Sequence, residues 1–291
     1  MGKIYDALEK ADTNEKTSRQ HVYEPVHLAQ ENFPNGMPET ILGNDTANVP
    51  ASNEERIPEN VDQALVTIEK PYSAASEQFR LLKNNILFPE KGQPPRSIMI
   101  TSPSPNEGKS FVAANLAASI AQSIDEYVLL MDCDLRSPSI HSLFGFNKES
   151  KGLSDYLSNG LPLSGALKKT FINKLTVLPA GRIPSNPSEL LSSEQMRRML
   201  HEVTLRYNDR YIIIDTPPPY ITSETNAIAR NVDGIIIVIR QGKTRIKEVQ
   251  DIIDIYGKDN ILGVVKNFSK KFVGYGYGYH KKYGYGYHKE N

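Results

Sequence analysis

The sequence predicts an α/β fold, a mostly parallel twisted sheet with helices on both faces. Three observations predict it. Continuous apolar runs recur along the chain, IMI within 96–102, VLLM within 127–132, YIII at 211–214 and GIIIVI at 234–239; strands covered on both faces read this way, whereas half-solvated strands alternate. Helical patterns separate the runs, and strand–helix alternation implies a parallel sheet with right-handed crossovers. Polar, chemistry-bearing residues follow three of the runs directly, and ligands of such sheets bind beyond the carboxyl ends of the strands.

The elements follow in order. Residues 1–11, MGKIYDALEKA, place Ile4, Ala7, Leu8 and Ala11 on one face of a short amphipathic helix; a frayed helix and a docking segment both fit it. Residues 12–70 read as a disordered linker, polar and rich in Pro, Asn and Glu up to residue 60. The folded domain is expected over 71–270. It opens with PYSAASEQFRLLKNNILF, which has helical spacing at Ala75, Phe79, Leu82 and Ile86 and a candidate N-cap at Ser73. Strands are expected at 96–102, 127–132, 174–180, 211–216, 234–240 and 261–268, and helices at 108–122, 188–207, 223–230 and 247–257. Residues 271–291 are expected to be a flexible tyrosine-rich tail.

Bulk composition narrows the function. The 291 residues suit one large α/β domain with tails. Lys+Arg and Asp+Glu both number 34, so charge gives no reason to expect a nucleic-acid partner. The charge is uneven, acidic over the first sixty residues and basic from Lys266 onward. A single cysteine, Cys133, excludes an intrachain disulfide and suits a cytosolic address. No apolar run approaches the ~20 residues that span a bilayer, and MGKIYDALEKA does not resemble a secretory signal. A peripheral position at the inner face of the membrane would have to come through a partner.

After IMI comes TSPSPNEGKS. Its Gly108-Lys109-Ser110 end is that of a P-loop: backbone N–H groups and the helix N-terminus cradle phosphates, Lys109 reaches the β/γ-phosphates and the Ser110 hydroxyl binds Mg²⁺. The strict pattern fails at its first glycine, where Pro103 stands. After VLLM come Asp132 and Asp134, whose spacing lets both carboxylates face one site, to hold a Mg²⁺-bound water or accept a proton; a surface turn is the plainer reading. After YIII come Asp215-Thr216-Pro217-Pro218, an acid at a strand end that can anchor Mg²⁺ through water. Together the three are more specific than any one, because all fall on the same sheet edge.

The tail reads GYGYGYHKKYGYGYHKEN, with Tyr275, Tyr277, Tyr279, Tyr283, Tyr285 and Tyr287. Three readings compete: a low-complexity segment, a metal tail using His280 and His288, and a set of tyrosines that are themselves substrates, carried to an active site by a glycine-rich chain.

These motifs in this order resemble the bacterial tyrosine kinases of capsule and exopolysaccharide synthesis. Walker A is IMITSPSPNEGKS, Walker A′ is VLLMDCDLR, Walker B is YIIIDTPP, and the tyrosine cluster closes the chain; GRIPSNPSELL and VIRQGKT also match, and the resemblance covers residues 71–291. It implies a P-loop NTPase fold and an ATP- and Mg²⁺-dependent autokinase that phosphorylates its own tail and regulates polysaccharide synthesis, chain length or export. The implied catalytic residues are Lys109, Asp132, Asp134 and Asp215, with Ser110, Asp132, Asp134 and Asp215 at the metal. Pro105, Asn106, Glu107, Gly108, Lys109, Ser110, Phe111, Arg136 and Asn267 are the expected nucleotide contacts. The implied partners are a transmembrane chain-length regulator, a tyrosine phosphatase, and further copies of the chain in a ring. Glu77, Arg80 and Lys83 stand where the family has its ring contact, with Lys83 in place of an arginine. Two departures lie in the loop: Asn106 replaces a glycine but tolerates the left-handed conformation, and Phe111 replaces a hydroxyl residue. A deviant-Walker ATPase switch, of the partitioning or septum-placing type, and a non-catalytic export scaffold are the rival readings.

Overall fold

The structure, a computed structural model, describes residues 57–206, 210–220 and 224–269. The expected N-terminal helix at 1–11 and the tyrosine tail lie outside the described residues.

Seven strands form one sheet: β1 (Ser97–Thr101), β2 (Tyr127–Asp132), β3 (Lys168–Lys169), β4 (Leu175–Leu178), β5 (Arg210–Asp215), β6 (Gly234–Arg240) and β7 (Ile261–Asn267). Their order is β3-β4-β2-β5-β1-β6-β7. Every pairing is parallel except β3 with β4. The α/β, mostly parallel architecture is as the apolar runs predict. The two-residue edge strand β3 is too short to carry a sequence signal.

Alternation along each strand splits the core in two. Ile98, Ile100, Val128, Leu130 and Ile213 face helices α2 (Ala74–Leu87) and α3 (Lys109–Ala121), meeting Phe79, Ile86, Val112 and Leu116. Met99, Leu129, Met131, Ile212 and Ile214 face the other way. There they meet side chains of α5 (Leu153–Asn159), α7 (Pro187–Leu191), α8 (Glu194–Arg206) and α9 (Glu224–Ala229). Burying each such aliphatic side chain contributes about 1.5–3 kcal/mol. On the same side as the second set, Ile237 packs on Ile252 and Ile253 of α10 (Ile246–Tyr256).

One local expectation holds and another is modified. Ser73 caps α2, its hydroxyl accepting from the Ser76 N–H at 3.2 Å. The helix expected at 188–207 is instead two, because the Ser193 hydroxyl accepts from the Met196 N–H at 3.1 Å and starts α8 afresh.

One expectation fails. Residues 57–70 are not linker. Val61 and Leu65 are buried, and α1 (Val66–Glu69) lies against α3. The cause is Asn115, a fully buried amide in the middle of α3. Its carbonyl accepts from the Thr67 N–H at 3.1 Å and the Thr67 hydroxyl at 3.2 Å, and its amide donates to Ala64 O at 2.8 Å. A polar side chain buried in an apolar helix needs such partners, and this strap supplies them.

Candidate active site

The site is the carboxyl edge of the sheet. β1 ends at Thr101 and the chain passes through the loop 102–108 into α3. Asn106 has φ 61° and Gly108 φ 87°, two left-handed residues that bend the loop back on itself. Asn106 thus takes the conformation expected of it as a glycine replacement. At Gly108 a Cβ would lie 2.0 Å from Asn267 Nδ2, so a larger residue there would be strained by its φ and would also displace the Asn267 amide.

Internal bonds hold the loop. Glu107 points inward, only 3% exposed. Its carboxylate accepts from the Ser104 N–H at 3.1 Å and from the Thr244 hydroxyl, which itself accepts from the Arg240 N–H at 2.8 Å. The Asn267 amide donates to Glu107 O at 3.0 Å. The loop's shape is therefore fixed by side chains from the ends of β6 and β7.

Asp132 and Asp215 are register partners on the adjacent strands β2 and β5, and both are fully buried. Asp132 Oδ1 accepts from the Asp134 N–H at 3.2 Å, and Oδ2 from the N–H groups of Ser139 at 3.2 Å and Ile140 at 3.1 Å. It thereby caps the short helix α4 (Ile140–Leu143). Asp134 Oδ1 accepts from the Ser137 N–H at 3.0 Å, while Oδ2 lies 3.9 Å from Lys109 Nζ, both side chains almost wholly buried. Asp215 differs: among the described residues, neither carboxylate oxygen has a hydrogen-bond partner.

Burial, then the neighbouring Asp215 charge, raises the Asp132 carboxyl well above the usual range against the pull of its backbone hydrogen bonds. Burial pushes Asp215 up to about 7, with Asp134 adding to the rise. The Lys109 ammonium and the nearby Ser110 hydroxyl pull it back, the hydroxyl lying outside good hydrogen-bonding geometry. Cys133 is buried between the aspartates, and burial followed by their charges holds it as a thiol.

Among the described residues, no group of three or more His, Cys, Asp or Glu side chains is disposed to enclose a metal ion. A Mg²⁺ carried on nucleotide phosphates needs only one or two protein oxygens. The unpartnered Asp215 carboxylate beside Ser110 fits that need. Asp132, with both oxygens taken by backbone N–H groups, fits it less well.

The structure thus brings together Lys109, Ser110, Asp132, Asp134 and Asp215, and engages four expected nucleotide contacts otherwise. Arg136 is exposed and donates to Ser188 Oγ at 2.7 Å, tying the Walker A′ turn to α7. Glu107 and Asn267 brace the loop from within. Phe111 meets Phe79 edge-to-face, with ring centroids 5.7 Å apart, which gives its departure from a hydroxyl residue a packing reason. Pro105 and Asn106 are exposed at the loop tip. Glu77 and Arg80 form an ion pair at 2.6 Å on α2, and Arg80 also bonds the Pro71 carbonyl. Lys83 lies on the same helix, its pKa lowered first by partial burial and then by Arg80. Sequence reasoning missed Thr244, although VIRQGKT was singled out, and Phe268. Phe268 has φ 57°, carries the Arg240 guanidinium 4.3 Å from its ring centroid, and lies beside Gly108.

Comparison with known proteins agrees with this geometry. A family model described as ParA, NUBPL iron-transfer P-loop NTPase, matches residues 95–286. The tyrosine-protein kinase YwqD of Bacillus subtilis is 35% identical over 218 residues, 74% of this chain and 90% of that protein. The tyrosine-protein kinase Wzc of Salmonella typhimurium is 34% identical over 75% of this chain, but the match spans only 30% of Wzc. The kinase domain of the Escherichia coli tyrosine kinase ETK superposes with a TM-score of 0.65 at 30% identity, covering 81% of this chain and 89% of that domain. No helix among the described residues is long and apolar enough to cross a membrane. With a Walker-type edge, a P-loop NTPase sheet and relatives of this kind, the chain belongs to the bacterial protein-tyrosine kinases, nucleotide-binding enzymes of the P-loop NTPase class.

Proposed function

We propose that this kinase phosphorylates its own C-terminal tyrosines, Tyr275, Tyr277, Tyr279, Tyr283, Tyr285 and Tyr287, with MgATP as donor, and thereby regulates capsule or exopolysaccharide synthesis, chain length or export. The observation that carries the reading is the meeting of Lys109, Asp134, Asp132 and Asp215 at one buried edge, in a chain that ends in a tyrosine cluster.

In this mechanism the γ-phosphoryl passes from ATP to a tyrosine oxygen: the bond from the β,γ-bridging oxygen to Pγ breaks, the new O–P bond forms, ADP leaves and the phenolic proton goes to a carboxylate. Lys109 and the loop N–H groups stabilise charge on the transferring group, and Asp134 holds the Lys109 ammonium in place. Asp132 is the candidate for the proton. Its three backbone hydrogen bonds orient it, and burial beside Asp215 raises its pKa, which makes it a stronger base than an ordinary carboxylate. Ser110 and Asp215 would hold Mg²⁺, which when bound neutralises charge on the β- and γ-oxygens.

The test is incubation with labelled ATP followed by mapping of the phosphates. Lys109→Met should lower tail phosphorylation and hydrolysis at least about a hundredfold while the protein still folds, as read by its circular-dichroism spectrum. Phosphates found mainly on core residues such as Tyr156 would defeat the tail reading.

Assembly belongs to the same proposal. We place Glu77, Arg80 and Lys83 at a subunit contact in a ring docked beneath a transmembrane chain-length regulator, with a tyrosine phosphatase resetting the tail. Each tail phosphate adds nearly two negative charges to a basic segment, which would loosen the ring. Exposed ion pairs contribute only ~0–1 kcal/mol to the fold itself. Glu77→Ala/Arg80→Ala should therefore fold normally yet lower the mass seen by light scattering of the Lys109→Met protein. Equal masses would remove α2 from the interface.

A further inference from the structure

A groove of about 250 Å³ opens beside the catalytic edge, lined by Pro138, His141, Lys148, Glu149, Gly181, Arg182 and Ile183. It starts next to the proposed proton acceptor, since Pro138 precedes Ser139, whose N–H bonds Asp132. Its cations come from two separate elements and its walls are fixed. The Ser154 hydroxyl donates to Arg182 O at 2.7 Å, and Gly181, at φ 82°, leaves no room for a Cβ against that hydroxyl. Ile183, 57% exposed, adds an apolar surface beside the charges. Burial first, and then the Lys148 charge, lower the His141 pKa.

We propose that this groove is a docking subsite for a phosphotyrosine already formed on a tail, so that each phosphate promotes addition of the next. The proposal rests on the reading that the tail is a substrate. Within each half of the tail the tyrosines recur every second residue. In an extended chain such residues lie on one side, about 7 Å apart. One tyrosine can then sit at Asp132 while its phosphorylated neighbour reaches the adjoining groove. Glu149 pairs there with Arg182 at 3.3 Å, both side chains about 70% exposed. Such a pair holds weakly, and a phosphate dianion offers the guanidinium a stronger, bidentate partner. An aromatic ring against Ile183 and a phosphate between Lys148 and Arg182 match the groove's chemistry better than a free anion would.

The experiment uses synthetic peptides of residues 274–287, unmodified or bearing one phosphotyrosine, titrated calorimetrically into the full-length Lys109→Met protein. The phosphopeptide should bind about tenfold more tightly. Lys148→Ala/Arg182→Ala should erase the difference, and Glu149→Gln should widen it. In the active kinase, time-resolved mass spectrometry should show multiply phosphorylated tails accumulating while unmodified ones remain. The double variant should add its first phosphate at the wild-type rate and the later ones at random. Equal binding of the two peptides, or an unchanged phosphate distribution in the variant, overturns the subsite. A tail that carries no phosphate at all would instead overturn the proposed function, and the calorimetry would still decide whether the groove reads phosphotyrosine.

Discussion

The two ends of the sheet treat a carboxylate in opposite ways. At the amino edge, Asp233 Oδ2 accepts from the Arg96 N–H at 2.9 Å, the Ser97 N–H at 2.8 Å and the Ser97 hydroxyl at 2.9 Å. At the carboxyl edge, Asp215 is fully buried and finds no protein donor among the described residues. The Asp233 bonds join the entrance of β1 to that of β6, and folding gains by making them. A buried carboxylate with no hydrogen bond costs free energy, and such a group is kept where a ligand repays that cost. One sheet therefore carries a satisfied carboxylate that stabilises at its amino edge and, beside the satisfied Asp132, an unsatisfied one disposed to meet a ligand at its carboxyl edge.

The largest effect should come from Asp215→Asn. If the carboxylate serves MgATP rather than the fold, the change should lower phosphoryl transfer about a thousandfold, near 4 kcal/mol of transition-state stabilisation. It should leave the melting temperature of the nucleotide-free protein unchanged or higher, because a buried charge facing Asp132 is removed. Labelled-ATP assays and a thermal melt in EDTA read the two sides. A large fall in melting temperature would show that Asp215 is structural and that the contrast between the edges is false.

The pH dependence of the metal-free, nucleotide-free protein sharpens the contrast. The Asp215 pKa rises from 3.8 to about 7 on folding, so between those values the folded state binds the extra proton. Stability then falls as pH rises, by about 2 kcal/mol between pH 5 and 7. Asp132 acts in the same direction. His141, whose pKa folding lowers, acts in the opposite one, weakly because it is only partly buried. Urea melts at pH 5 and 7 should show the fall, and Asp215→Asn should flatten it. A wild-type protein more stable at pH 7 than at pH 5 would mean that Asp215 has found a donor.

How much of this was legible in the sequence follows from the range of the interactions. The principal strands and the carboxyl-edge residues were legible, because a buried parallel strand must be continuously apolar and its ligand chemistry must follow it. Asn106 was legible as a left-handed residue from its own side chain. The helix α4 was not: its amino end is capped by Asp132, several residues upstream on another element. The strap 57–70 was not legible either, because its anchor is Asn115, about fifty positions later. Glu107 and Asn267 sit at positions where nucleotide contacts are expected. Only the fold shows that the first is locked to Thr244 and the second to the loop backbone. Local pattern reveals elements and their ends, while contacts between distant segments decide whether a polar side chain serves a ligand or the scaffold.

The smallest effect belongs to the amino edge. Asp233→Ala removes an acceptor for two backbone N–H groups and one hydroxyl, but the residue is exposed and water can take over part of the bonding. The Asp233 N–H keeps its own bond to Ser97 O at 3.0 Å. Arg96 keeps its place over the Tyr211 ring, 4.6 Å from the centroid. The expected loss is therefore about 1 kcal/mol rather than the sum of three hydrogen bonds. Catalysis should not change, because β1 lies between this edge and the P-loop and its central residues are wholly buried. Denaturant unfolding should shift the midpoint without altering its slope, and the phosphorylation rate at saturating ATP should match wild type. A tenfold fall in that rate would mean that the two edges are coupled through β1, and that the amino edge helps to set the loop that holds the nucleotide.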